Sequence, residues 1–212
     1  MLRERLCLLF ALGTPSCALT SILPSPALFG GNVTVEGTNF DRDTLNQTPA
    51  GFETRTGQWA VAESPTAASG EQVVVKSGEA SARLAVKSTV RSQAVGGEVS
   101  VRVFIGETGA GLACEGAEQA PGYVLKLEPH NERLALYREL QDSTPVATAS
   151  VPIAKGEWRR VGLRCENRRV IGYLDGKPVV RDRASLGPVD LTLYGDPAVT
   201  AQFDDLKYWT KK

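Results

Sequence analysis

The sequence predicts an all-β chain folded as a sandwich of two antiparallel sheets, and three observations carry that prediction. Short segments alternate apolar and polar side chains with a period of two, as a half-buried strand does. Turn residues recur roughly every 8–12 positions, the spacing of a sandwich or barrel. No segment keeps a helical period beyond a turn or two. Residues 156–182 show the pattern best. Val161, Leu163 and Cys165 fall on one face of a strand, residues 166–169 break it, and residues 170–174 run back. Asp175 and Gly176 then supply the pair that tolerates the positive φ of a type I′ turn, and Val179 and Val180 begin a third strand.

Charge and composition narrow the class. The 24 basic and 24 acidic side chains among 212 residues cancel, which argues against a nucleic-acid partner and a polybasic membrane anchor. An apolar share of 42% suffices for a packed core, whereas 7% aromatic residues offers no long stacking platform. The length suits one all-β domain.

Residues 1–18 read as a signal peptide: Arg3 and Arg5, then an apolar run at 6–12, then the small residues Ser16, Cys17 and Ala18. An alternative cut follows Ala27. The run is too short for an integral membrane span, which takes about 20 apolar residues. Lipid anchoring at Cys17 is disfavoured, because Thr14 and Pro15 are a poor lead-in. The expected localisation is therefore exported, periplasmic or secreted. Export leaves Cys114 and Cys165, which either bridge two strands in an oxidising compartment or stay as two buried thiols. Neither lies in a CxxC spacing, so zinc is not expected.

Along the chain, residues 19–38 read as a leader or linker with one strand near Val33, and the β-sandwich domain occupies residues 39–209. A turn at 48–52 leads into a strand at 57–61, and residues 72–76 and 82–87 form two more. Residues 98–105 make the clearest strand, with Val99, Val101, Val103 and Ile105 on one face and Ser100, Arg102 and Phe104 on the other. The following glycine-rich GETGAG lacks the Lys-Ser/Thr ending and the helix of a phosphate cradle, and reads as a surface turn. Residues 112–114 form a short strand, and 123–128 and 133–140 form a hairpin around residues 129–132. Strands at 146–151, 189–194 and 201–209 complete the set.

Three ordered groups of residues carry a family resemblance. They are Asn39-Phe40-Asp41 with Gly57-Gln58-Trp59-Ala60-Val61; Gly122-Tyr123-Val124-Leu125-Lys126 with Leu134-Ala135-Leu136-Tyr137-Arg138; and Glu157-Trp158-Arg159-Arg160-Val161 with Leu174-Asp175-Gly176-Lys177 and Phe203-Asp204-Asp205-Leu206. Together they resemble the concanavalin A-like lectin/glucanase domains, nearest the bacterial 3-keto-disaccharide hydrolase-type and laminin G-like exported domains. The resemblance implies a jelly-roll sandwich of two curved sheets with a sugar-holding concave face. It does not extend to catalysis. Laminarinase-type glucanases carry Glu-x-Asp-x-x-Glu on one strand, whereas residues 133–139 here offer one carboxylate. No active-site motif of the keto-disaccharide branch maps onto the chain.

Three candidate sites follow. His130 is the only histidine and lies in a turn, where a solvated ring suits no triad. Asp41, Asp204 and Asp205 would gather if the first and last strands are neighbours, and three carboxylates with backbone carbonyls suit a structural calcium; otherwise they face water. Arg102, Lys126, Glu128 and Tyr137 alternate with aliphatic residues, and Arg164 and Tyr173 join them as a candidate ligand surface. Trp59, Trp158 and Trp209 read as core or edge plugs. The reading is a non-catalytic, exported glycan-binding module. A hydrolase of the keto-disaccharide type and an envelope domain with a protein partner are the alternatives.

Overall fold

The structure is a computed structural model and describes residues 33–87, 92, 94–105, 108–116, 122–138, 143–166, 168–183 and 185–211. The signal peptide, both cleavage points, Cys7, Cys17, most of the leader and Glu139 lie outside these residues.

The strands follow one another as β1 (Val33–Thr38), β2 (Phe52–Thr56), β3 (Gln58–Glu63), β4 (Gln72–Ser77), β5 (Ala82–Val86), β6 (Ala94–Ile105), β7 (Ala110–Glu115) and β8 (Tyr123–Glu128). Then come β9 (Arg133–Tyr137), β10 (Ala147–Ser150), β11 (Arg159–Glu166), β12 (Arg169–Leu174), β13 (Lys177–Asp182), β14 (Asp190–Gly195) and β15 (Thr200–Lys211). They form two antiparallel sheets. One has eight strands in the order β13-β12-β11-β6-β15-β4-β3, with β1 beside the second half of β15. The other has seven, ordered β10-β9-β8-β7-β14-β5-β2.

Alternation sets which side chains meet between the sheets. Val99, Val101 and Val103 of β6 face inward and are at most 2% exposed. Leu112, Leu125, Leu127, Leu134, Leu136 and Leu193 answer from the seven-stranded sheet. The rings of Trp59 and Phe203 lie 5.5 Å apart at one end of this core. Cys114 on β7 and Cys165 on β11 are joined by a disulfide across the two sheets, spanning 51 residues of sequence. Of the two fates expected for these thiols, the bridge is the one observed.

The first and last strands, β1 and β15, lie side by side: Thr38 pairs with Leu206 and Val33 with Lys211. The hairpin at Asp175-Gly176 forms as read, with φ of 47° and 85°. Three elements differ most from expectation. β7 begins at Ala110, inside the glycine-rich stretch read as a surface turn, and is buried throughout. β6 begins four residues earlier, at Ala94, because Gly96 and Gly97 carry no side chain to mark a face. A Cβ on Gly96 would come 2.6 Å from the Trp209 ring, which lies across it. β2 occupies residues read partly as a turn. Its sequence, FETRT, has one apolar residue and so no visible alternation. Among the described residues no helix is long and apolar enough to cross a membrane.

Candidate functional site

The outer face of the seven-stranded sheet carries charged side chains that are not solvated. Lys126 and Glu128 point outward from β8 because Leu125 and Leu127 point in, yet they are 8% and 1% exposed. On β9 the same alternation turns Tyr137 outward, 4% exposed. Tyr194 and Asp196 reach the same face from the end of β14. Ala113, Val124 and Ala135 pack with both tyrosines into a small cluster separate from the main core.

Every charge in this array is held. Lys126 Nζ donates to Asp196 Oδ2 at 3.0 Å and stands 3.9 Å from Glu128 Oε1. It also sits 3.9 Å from the centre of the Tyr137 ring. Asp196 Oδ1 accepts the Tyr194 hydroxyl at 2.9 Å, and its Oδ2 accepts the backbone N–H of Gly109 at 3.0 Å. Glu128 accepts Tyr137 Oη at 2.6 Å, Arg133 Nε at 2.7 Å and Asn131 Nδ2 at 3.1 Å. Burial and the Glu128 carboxylate push the Tyr137 phenol far above its ordinary range; burial and Asp196 do the same to Tyr194. Both therefore stay protonated and act as donors.

A second cluster continues the array. Arg55 bridges Glu115 and Asp190, each at 2.7 Å, and Arg83 Nη1 lies 3.7 Å from Glu115. Among the described residues, two buried oxygens here have no hydrogen-bond partner: Glu115 Oε1 and Thr192 Oγ1. Their outward direction follows from register, since Asp190 pairs with Glu115 and Thr192 with Ala113.

The six residues expected to form one ligand surface divide between two faces. Lys126, Glu128 and Tyr137 share the array. Arg102, Arg164 and Tyr173 stand on the outer face of the eight-stranded sheet, because β6, β11 and β12 belong to it. Arg102 is 7% exposed and fully engaged. Its guanidinium lies 4.6 Å from the rings of both Phe104 and Trp158. It also donates to Gln202 Oε1, Ser64 Oγ and Thr66 Oγ1. Trp158 Nε1 donates to Thr66 O at 2.6 Å, so this arginine and this tryptophan fasten residues 64–67 to the sheet. Arg164 is paired with Glu166 and lies 5.9 Å from the Trp209 ring. Glu98 on the same face is 1% exposed, with Arg160 Nη1 3.9 Å away and, among the described residues, no hydrogen-bond partner on either oxygen. Sequence reasoning missed Arg55, Arg83, Glu115, Asp190, Tyr194 and Asp196. The signal was a polar residue at every second position through Asp190, Thr192 and Tyr194.

The three aspartates converge as the pairing of the first and last strands requires, but on backbone N–H groups and the side chains of Ser69 and Asn39. Asp41 Oδ1 accepts the N–H groups of Glu71 and Gln72 at 2.9 and 3.0 Å. Asp204 Oδ2 accepts Ser69 N at 2.7 Å and its Oδ1 accepts Asp205 N at 2.7 Å. Asp205 Oδ1 accepts the Ser69 hydroxyl at 2.5 Å. Among the described residues no three acidic, histidine or cysteine side chains are placed to hold a metal ion. Calcium needs six to eight free oxygens, and this donor set does not fit it. Burial, outweighing these hydrogen bonds, raises the Asp204 carboxyl to about 6, with Asp205 and Asp41 adding to the rise. His130 is exposed in the short turn after β8.

The sequence matches no family model and no curated protein. Solved structures are similar in shape. The carbohydrate-binding module CBM66 from Bacillus subtilis superposes with a TM-score of 0.56 at 16% identity, over 74% of this chain and 94% of that one. The fold is the concanavalin A-like jelly roll. The Crh5 transglycosylase in complex with NAG gives 0.53 at 12% identity, over 84% of each chain. A β-1,3-1,4-glucanase (lichenase) derived from a mouse hindgut metagenome gives 0.51 at 10% identity, over 82% of this chain and 98% of that one. At such identities the likeness establishes the jelly roll and nothing finer.

Proposed function

We propose that the protein is an exported, non-catalytic glycan-binding module, and that the outer face of the seven-stranded sheet is its ligand face. One observation carries the reading: an outward sheet face whose charges are withdrawn from water and locked in place. Withdrawing charges is costly, and an ordinary solvated face has no reason to do it. Preorganised polar groups are what a polyol needs, since their ordering cost is met before binding. The similarity in shape to a carbohydrate-binding module and to glycan-acting enzymes supports the same reading. The disulfide in the core supports export to an oxidising compartment.

Binding is favoured over hydrolysis because Glu128 and Asp196 are saturated. Glycoside cleavage takes a proton-donating acid on one side of the bond and a carboxylate on the other. Glu128 and Asp196 instead flank one ammonium, and both accept charge-assisted hydrogen bonds. Tyr137, with Lys126 over its ring, is a positioning group and not a stacking platform.

The test is a glycan array followed by calorimetry of the full chain. Affinity in the micromolar to millimolar range is expected. Arg133→Leu, which removes a partly exposed guanidinium beside Glu128, should weaken it about tenfold, a loss of about 1.4 kcal/mol. Arg102→Met on the opposite sheet should leave affinity unchanged. No array signal above background, or equal loss in both variants, contradicts the proposal.

A further inference from the structure

Lys76 is buried completely and points the wrong way for a lysine. On β4 it pairs with Ala201 and Trp59, both part of the core, so its stem runs into the space between the sheets. The stem crosses against Gly195 of the opposite sheet, where a Cβ would come 2.9 Å from Lys76 Cγ. The ammonium then meets three backbone carbonyls: Gly78 O at 3.0 Å, Asp196 O at 2.8 Å and Val199 O at 2.9 Å. Three protons meet three acceptors, so the group is satisfied without any carboxylate within ion-pair distance among the described residues.

These carbonyls belong to two turns, and Asp196 N also donates to Gly109 O at 3.0 Å. Residues 196–199 join β14 to β15, and their own closing bond, Val199 N to Asp196 O, is long at 3.4 Å. Ala198 takes a φ of 54° there and reaches Glu79 O at 3.2 Å. Asp196 is thus gripped from both sides. Its carbonyl is held by Lys76 from within the sandwich, and its carboxylate is held on the outer face by Lys126, Tyr194 and Gly109 N.

We propose that the Lys76 ammonium is a built-in cation in a carbonyl cage, and that it positions Asp196 and through it the Lys126–Tyr194 array on the far side of the sheet. The role rests on the reading of that array as the ligand face. A lysine tethered to β4 fixes the turn as a bound ion would, with no ion to lose. Lys76 is a positioning residue, out of reach of any ligand on the face it supports.

Chemical rescue tests it. Lys76→Ala removes Cγ to Nζ and leaves an elongated hole whose carbonyl end accepts an ammonium head. The amide signals of Gly109 and Asp196, followed by NMR, should move in Lys76→Ala and return with methylammonium chloride, but not with the bulkier tetramethylammonium. Lys76→Met, which keeps the stem, should move the same signals without rescue and weaken glycan binding about tenfold. Gly195→Ala, which presses on the stem without removing the charge, should move them less, and covers the case in which Lys76→Ala does not fold. Unmoved Gly109 and Asp196 signals in Lys76→Met, or no recovery with methylammonium in folded Lys76→Ala, would overturn the proposal. If the wild-type chain binds no glycan, only the functional reading fails; the amide signals and the rescue still decide the role of Lys76.

Discussion

At the scale of single residues, Thr192 gives the sharpest contrast between folding and binding. Its hydroxyl is buried without a partner among the described residues, so the folded state gains nothing from it. Thr192→Val keeps the shape and removes the unpaired group, which ordinarily costs about 1–3 kcal/mol. The variant should melt no lower than wild type, and higher if the hydroxyl goes unpaired in solution. That oxygen is closed to solvent and out of a ligand's reach, so glycan affinity should stay as in wild type; calorimetry and thermal melts read the two effects separately. Asp204 makes a second prediction. Its carboxyl titrates near 6 when folded, above the ordinary value of 3.8. The folded state therefore binds the proton more tightly, and the ionised form weakens the fold. Stability from this group is intact below the unfolded value and falls as pH rises toward 6. Moving from pH 7 to 5 should restore about 1 kcal/mol in wild type and not in Asp204→Asn. A carbon-13 titration midpoint near 4 for this carboxyl would contradict the assignment.

At the scale of elements, legibility followed side-chain contrast. β6 was plain from Val99 onward because apolar and polar residues alternate through Val103, and it vanished at Gly96 and Gly97, where there is no side chain to read. β2 was hidden because its edge position needs only Phe52 buried. The direction of Lys126, Glu128 and Tyr137 was legible from alternation, and their companionship with Tyr194 and Asp196 was not, since β14 reaches β8 only through β7. Arg102 shows the same limit: alternation gives a face within a sheet, not which sheet. The aspartates were legible as neighbours through the paired first and last strands, but their N–H partners are Ser69 and Glu71, in a loop with no pattern, and Gln72 at the start of β4. The link between β7 and β11 is the strongest element-scale constraint. Closing a loop over 51 residues should stabilise the fold by about 4 kcal/mol. Replacing both cysteines by alanine should lower the melting temperature by roughly 10 °C for a chain this size; an unchanged melt would mean that the bridge does not form in solution.

At the scale of the whole molecule, the fold is closed by its own chain: β1 zips to β15, a disulfide joins the sheets in the middle, and Lys76 joins them at one end. No metal is needed in that scheme. Melting curves should accordingly coincide in millimolar calcium and in chelator, and a calcium-dependent rise would restore the cation site once expected at Asp41, Asp204 and Asp205. With the interior committed to holding the sheets together, the two outer faces divide the remaining work. The eight-stranded sheet spends Arg102, Trp158 and Asp204 on fastening residues 64–72. The seven-stranded sheet keeps a preorganised polar array around Lys126, Glu128, Tyr137, Tyr194 and Asp196. Chemical-shift mapping of the labelled full chain, titrated with the strongest glycan from the array, tests this division most directly. The account predicts shifts concentrated on β7, β8, β9 and β14, with Tyr194 and Lys126 among the largest. Shifts centred on β6, β11 and β15, or spread without regard to face, would contradict it.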